Sequence, residues 1–520
     1  MRGKGLRAML LLLLLHVGHV SSVNRKFHFE IGTSRGEYPF PPPLIQTSPQ
    51  CNVYGEVDRR GVWGTVLKWD ICDTSKESGE IDPTCVHEGV LLEYVIAVEK
   101  TTTSNIGDQA ESLRHKLILN YADRGNDPHL YHLQHSLKVL TSASEGQINQ
   151  LYTYLNQYLI KDENRPHNLL VLINPKGGQC LGEEKYKTLV EPIFNMAHIS
   201  TDVRVLEYGG HAGEILQSYD LSSIDGLVTV SGDGTFFEIV NAIQKRAMLE
   251  ANLDENDPEC RVPPSNLRLG AIGAGTGNGV AVISTGVLNT DNGVTSNAIY
   301  ISLGVSSLSM DTNHIFCNKK LVCRQLLMSG YGFYGDVFYD SEQARWAGTK
   351  RYIYAVLKNL IRHRTHETEI SYLPHDSPEG GDWVTIQGRY KGILQFNFIF
   401  NPGNGREEFE SSLQNGFMYI YCLKECSRWQ HLLRWKRWID SIRFKQGYTL
   451  HEPYEDLYIA KAFRIKAIGP DASLPINSRA SFDGEFHQLE KSEFEVRVQR
   501  RSVKLFGVLH KDPPKDGTPV

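Results

Sequence analysis

Gly226-Leu-Val-Thr-Val-Ser231 runs without interruption into Gly232-Asp-Gly-Thr235, after which Phe236, Ile239, Val240 and Ile243 recur at helical spacing. A short, largely apolar run bounded by glycine reads as a strand buried on both faces, the kind found in parallel sheets flanked by helices. Glycines at the junction let the backbone approach a ligand, and successive N–H groups at a helix start form a nest for an anion. The stretch therefore predicts strand, phosphate loop and helix, with Gly232, Gly234 and Thr235 as binding residues.

Working outward, the pattern recurs on both sides. Upstream, Asn168-Leu-Leu-Val-Leu-Ile-Asn174 ends in Pro175-Lys-Gly-Gly178 and a helical stretch follows to about Ala197. Downstream, Leu267-Arg-Leu-Gly-Ala-Ile272 leads into Gly273-Ala-Gly-Thr-Gly-Asn278 and a short helix, with Leu253 to Pro264 as a loop insertion between the units. Strands alternating with helices predict an open α/β sheet whose ligand sits at the strands' carboxyl ends. We place a nucleotide-binding domain over residues 166–296, with Asn174, Gly177, Gly178, Gly275, Thr276, Gly277 and Asn278 added to the binding set.

An isolated Gly-Asp-Gly reads most simply as a tight turn with Asp as helix cap. Three glycine loops at corresponding places in one sheet point instead to a shared phosphate site. A carboxylate beside phosphates is costly unless it takes a proton from an acceptor hydroxyl or holds a metal, so Asp233 is the candidate general base.

The flanks differ from this core. Residues 23–162 read as short strands closed by a helix from about Ser144 to Ile160, and residues 297–510 as β-rich, except for a helix over Ser341 to Arg364 broken near Gly348. The fold class expected is α/β plus β with an N-terminal β module. Arg428 to Ile439 reads as a helix with Trp429, Leu432, Trp435 and Ile439 on one face, either interfacial or packed on the β domain. Residues 1–22 place basic residues before an apolar stretch, a signal-peptide pattern with a membrane-anchoring segment as alternative. A net charge of −5 over 520 residues leaves no basic excess for nucleic acid. Nine cysteines without a C-x-x-C pair read as reduced structural thiols.

Asn174-Pro-x-Gly-Gly178, Ser231-Gly-Asp-Gly-Thr235 with Glu238, and Gly275-Thr-Gly-Asn278 together resemble the catalytic domain of the diacylglycerol-kinase and sphingosine-kinase family of lipid kinases. The resemblance spans about Pro166 to Gly507 and extends to Gly330-Tyr-Gly-Phe-Tyr-Gly-Asp336, Asp340-Ser-Glu342, Arg345-Trp346, Arg351-Tyr352 and Asp483-Gly-Glu485. It implies an ATP- and Mg2+-dependent kinase acting on the primary hydroxyl of a sphingolipid. It further implies a pleckstrin-homology-like N-terminal module and a lipid-binding β-rich domain. Carried over by motif, Asp233 activates the hydroxyl, Glu238 supports the site, and Arg345 and Arg351 hold phosphates. Asp483, Gly484 and Glu485 lie near the nucleotide, with Asp483 as magnesium ligand. The plainer reading of the two arginines is a solvated helix face.

Asp336 is a candidate for hydrogen-bonding the lipid head, with a turn or capping role as alternative. Sphingosine kinases carry an acidic residue where this chain has Phe338. An aromatic residue there suits the uncharged amide of ceramide rather than an ammonium. The expected substrate is thus ceramide, with sphingosine, diacylglycerol, or a catalytically silent lipid-binding protein as alternatives. Peripheral contact with the cytoplasmic face of a membrane is expected, and the signal-like N-terminus leaves a secretory-pathway location open.

Overall fold

The computed structural model describes residues 51–57, 63–71, 86–104, 113–123, 133–142, 145–178, 180–275, 278–285, 291–304, 307–378, 380–398, 412–444 and 453–507. The reading of residues 1–22 lies outside them, as do Thr276 and Gly277 of the third glycine loop.

Two small antiparallel sheets come first: β1 (Cys51–Val57), β2 (Trp63–Ile71) and β3 (Val86–Leu91), then β4 (Val95–Ser104), β5 (Leu113–Asp123) and β6 (Gln134–Ser142). A 3-10 turn at Leu92–Tyr94 carries the chain from one sheet to the next. Helix α1 (Glu145–Lys161) closes the module by laying Ile148, Leu151 and Leu155 against Val95, Val98, Leu117 and Leu119. Those three side chains are the i, i+3, i+7 stripe of an amphipathic helix.

The α/β domain contains β7 (Asn168–Ile173), a helical stretch over 182–196, β8 (Ser200–Val205), α2 (His211–Ser218), β9 (Gly226–Ser231), α3 (Asp233–Glu250), β10 (Arg268–Gly273), α4 (Gly279–Thr285) and α5 (Asp291–Leu303). Its strands are parallel in the order β8-β7-β9-β10. Alternate residues of β7 serve opposite faces. Leu170 and Leu172 join the cluster around Phe236 and Ile239, while Leu169, Val171 and Ile173 join Phe194, Ile299 and Ile301. A strand sandwiched in this way must be apolar throughout, as the sequence of β7 is. Strand β8 and helix α2 went unrecognised in the sequence because β8, Ser-Thr-Asp-Val-Arg-Val, is a largely exposed edge without an apolar run.

The second domain is built on β11 (Ser307–Cys317), β12 (Lys320–Gln325), β13 (Met328–Gly332), β14 (His366–Pro374), β15 (Val384–Phe396), β16 (Met418–Lys424), β17 (Glu455–Ala467), β18 (Arg479–Phe482), β19 (Glu485–Gln488) and β20 (Glu493–Phe506). Its helices are α6 (Phe333–Gln343), α7 (Arg351–Arg362) and α8 (Arg428–Phe444). The expected helix over Ser341 to Arg364 begins earlier, at Phe333, and is interrupted by a 3-10 turn at Arg345–Lys350 where Gly348 takes φ 55°. Strand β20 joins the domains: it pairs antiparallel with β11 and β17 and, through Lys504 and Leu505, parallel with β10. Beneath this seam Leu170, Leu227 and Phe236 share one apolar cluster with Leu326, Phe338, Phe396 and Trp435. The architecture is α/β plus β, with an open cleft above the shared core.

Candidate active site

The sheet order places β9 beside β7 although β8 intervenes in sequence, so the chain reverses direction across the sheet between them. Crevices at such switch points, outside the strands' carboxyl ends, are where open α/β sheets bind ligands. A cleft of about 760 Å³ opens there. One wall carries Asn174, Gly177, Gly178, Gly232, Asp233, Gly234, Thr235, Glu238 and Gly275. The other carries Phe338, Glu342, Arg345, Arg351, Tyr352, Asp483, Gly484 and Glu485.

Side-chain bonds tie the glycine loops together. Asn174 donates from Nδ2 to Thr235 Oγ1 (2.8 Å) and accepts from the backbone of Lys176 (3.0 Å), fastening the first loop to the second. Gly178 has φ +59°, and a Cβ there would lie 2.7 Å from the carbonyl carbon of Gly275. Only glycine lets the first and third loops approach so closely. Asn278 is buried and bonds Gly275 through both side-chain ends, 2.9 and 3.2 Å, so it shapes the third loop from beneath.

Asp233 joins the second loop to the third. Its carboxylate accepts N–H bonds from Gly279 (2.9 Å) and Val280 (3.0 Å), capping the start of α4, while Gly232 occupies the cap position of its own helix. Burial raises its proton affinity above the ordinary carboxylate range despite those two bonds. Glu238, one turn along α3, accepts from the Gly213 backbone at 3.1 Å and so fastens α2 to the cleft wall.

On the facing wall, Glu342 holds both arginines. It accepts from Arg345 Nε at 2.6 Å and pairs with Arg351 Nη1 at 3.3 Å, while Arg351 also donates to the Tyr352 hydroxyl at 2.8 Å. Glu342 was not in the expected site; its spacing from Arg345, one helical turn, is the signal that could have found it. Asp336 is absent from the cleft lining: it is buried, with Arg479 at 3.2 Å and Arg364 at 3.3 Å on its two oxygens. Phe338, two residues on, does line the cleft, with Leu327, Met328 and Phe486 beside it.

Asp483 has φ 50° and accepts N–H bonds from Leu326 (2.7 Å), Leu327 (2.7 Å) and Met328 (3.0 Å). Burial, with a smaller contribution from the Asp233 charge, pushes its carboxyl up to about 7. Among the described residues no cation is bonded to Asp233 or Asp483, so the pair is an electrostatic deficit that a divalent cation would relieve. Glu485 stands beside Gly234 and lines the same cleft; it and Asp483 are the residues that could hold such an ion.

Residues 168–299 match the family profile described as diacylglycerol kinase catalytic domain. The glycine loops that line the cleft thus lie in a segment similar to the catalytic domain of diacylglycerol kinases. Among known proteins the chain is similar to ceramide kinase of Homo sapiens, 37% identical over 220 residues, covering 42% of this chain and 40% of that one. Ceramide kinase of Mus musculus is 32% identical over 304 residues, covering 58% of this chain and 56% of that protein. The chain resembles ceramide kinases within the lipid kinase family, and the matches span about half the length of those relatives. A crystal structure of a diacylglycerol kinase from Bacillus anthracis str. Sterne covers 66% of this chain and 97% of that one, at 15% identity and a TM-score of 0.41.

Proposed function

We propose that this chain is a lipid kinase that transfers the terminal phosphoryl group of ATP to the primary hydroxyl of ceramide, with Mg2+ as its metal. The observation that carries this reading is the convergence of three glycine loops, Asp233 and a pair of arginines on one cleft of about 760 Å³. Phosphoryl transfer asks for positioning and for charge to be absorbed, with little covalent chemistry from the protein. In this reading the loop N–H groups cradle phosphates and Arg345 and Arg351 take up charge on the transferring group. Asp233 accepts the hydroxyl proton, and its burial makes it a stronger base than a solvated carboxylate. Magnesium, when bound, supplies neutralisation of phosphate charge, and Asp483 and Glu485 are the residues for it.

The wall formed by Phe338, Leu327, Met328 and Phe486 is apolar, and Asp336 is already committed to two arginines. Neither feature offers an unpaired carboxylate for a lipid ammonium, which supports ceramide over sphingosine. The N-terminal module is assigned to head-group or membrane recognition of the pleckstrin-homology kind, on the cytoplasmic face of a membrane. One observation favours a second reading, a silent lipid-binding protein: both oxygens of Asp233 already serve α4.

The test is transfer from labelled ATP to ceramide, sphingosine and diacylglycerol in mixed micelles, comparing wild type with Asp233→Asn and recording the melting temperature of each. Label on ceramide that drops at least about 100-fold in the variant, with a melting loss of only a few degrees, supports the base. Label on sphingosine would keep the kinase and sink the Phe338 argument. No transfer with lipid binding retained would establish the silent reading.

A further inference from the structure

The helices beyond the cleft carry an apolar surface that the catalytic reading does not use. On α7, Tyr354, Leu357 and Ile361 are 49%, 50% and 72% exposed and fall at i, i+3, i+7, while Ala355, Val356 and Asn359 on the other side are buried. Trp346, next to cleft residue Arg345, is 85% exposed. Helix α8 abuts α7, with the His363 and His431 rings 5.7 Å apart, and adds exposed Trp429 and Leu432. Its buried side holds His431, Arg434 and Trp435, so the apolar face expected for this helix is split: Trp435 packs on Phe333 at 6.0 Å while Trp429 and Leu432 face outward. Ile439 has no described side chain.

The charge on these two segments is mostly basic, with exposed Glu425 and half-buried Glu342 at their edges. Residues 343–364 and 426–438 contain no acidic residue, although the whole chain has a net charge of −5. Lys350, Arg362, Arg428, Lys436 and Arg437 are exposed around the apolar side chains. Exposed Trp, Tyr, Leu and Ile inside a basic rim have the composition that seats an amphipathic helix among anionic head groups. Exposed apolar side chains gathered on two abutting helices, rather than scattered singly, mark an interaction site.

We propose that α7, the 3-10 turn before it and the first turns of α8 form a docking face for an anionic phospholipid bilayer, setting the mouth of the cleft at the membrane surface. The proposal rests on the lipid-kinase reading for its purpose, though not for the binding itself. Docking by this face puts Arg345 and Arg351 at the level of the head groups, where a lipid hydroxyl enters without leaving the bilayer entirely.

Flotation of the full chain with vesicles of phosphatidylcholine, or of phosphatidylcholine mixed with phosphatidylserine, tests it. Wild type should bind the mixed vesicles. The triple variant Leu357→Ser/Ile361→Ser/Trp429→Ser, with unchanged melting, should partition about ten-fold less or weaker still. Lys350→Gln/Arg428→Gln should lose several-fold of the preference for phosphatidylserine. A triple variant that floats like wild type would overturn the proposal, placing membrane contact elsewhere. Wild type that ignores both vesicle types would overturn it too and leave the face to a protein partner. Wild type that floats through this face yet phosphorylates no lipid would uphold the docking face while sinking the kinase.

Discussion

Asp233 and Asp483 show how one side chain can serve the frame and the cleft together. Each accepts backbone N–H bonds from another segment, and each is pushed toward its protonated form by burial. The sequence marks Asp233 through its glycines, whereas the tie from Asp483 to residues 326–328 spans more than 150 positions and leaves no local trace. A carboxyl whose folded value, about 7, lies above the unfolded value of 3.8 stays protonated in the fold over a window in which the unfolded chain has released its proton. Its contribution to stability is therefore full below about pH 4 and lost as pH rises through 7. Asp311, buried and raised to about 6, adds to the same trend. In Asp483→Asn, the fall in unfolding free energy between pH 5 and 7 should be shallower by up to about 1.4 kcal/mol per pH unit. Urea titrations across that range read the slope, and an unchanged slope would mean that Asp483 is ionised throughout.

At the scale of elements, the glycine loops were the most legible part of the chain because they combine an apolar run with a required backbone conformation. Gly178 is the position where that requirement is strictest, with φ +59° and the third loop in contact. Gly178→Ala should cost about 1–3 kcal/mol of stability and weaken nucleotide binding. Denaturant melts and a nucleotide titration measure both; full stability with full affinity would mean that the loops can separate freely. Elements with little apolar patterning were not legible. Strand β8 lacks the run, and α6 starts within a Gly-x-Gly-x-x-Gly string that gives no helical period until Val337. Helix α8 was legible as a helix, but which of its tryptophans faces the core depends on what it meets.

At the scale of the molecule, the N-terminal module is packed onto the α/β domain. Ile96, Ala122 and Leu133 share a core with Ile299, Tyr300 and Leu303 of α5, and the Leu133 backbone donates to Ser296 Oγ at 2.8 Å. Arg165, 7% exposed, closes the junction by donating to the carbonyls of Val95 (2.6 Å) and Glu93 (3.2 Å). Arg165→Ala removes those bonds and leaves two carbonyls without their charged donor, at a cost of about 2 kcal/mol. Hydrogen exchange should then rise first in β4 and β5; exchange confined to the α/β domain would show that the junction does not hold the module.

By itself the sequence determined that there are three strand-loop-helix units and that β structure flanks them, and it raised the expectation of phosphate binding at their loops. Those properties follow from backbone sterics and apolar periodicity, which act within a few residues. Only the tertiary structure decided that Glu342 joins Arg345 to Arg351, that Asp336 turns away from the cleft to two arginines, and that β20 stitches the domains into one sheet. Each depends on partners far apart in the chain, brought together when the apolar faces of both domains close over a shared core. The outward face of α7 belongs with them: its side chains look like core in the sequence, and only the packing shows that nothing described covers them.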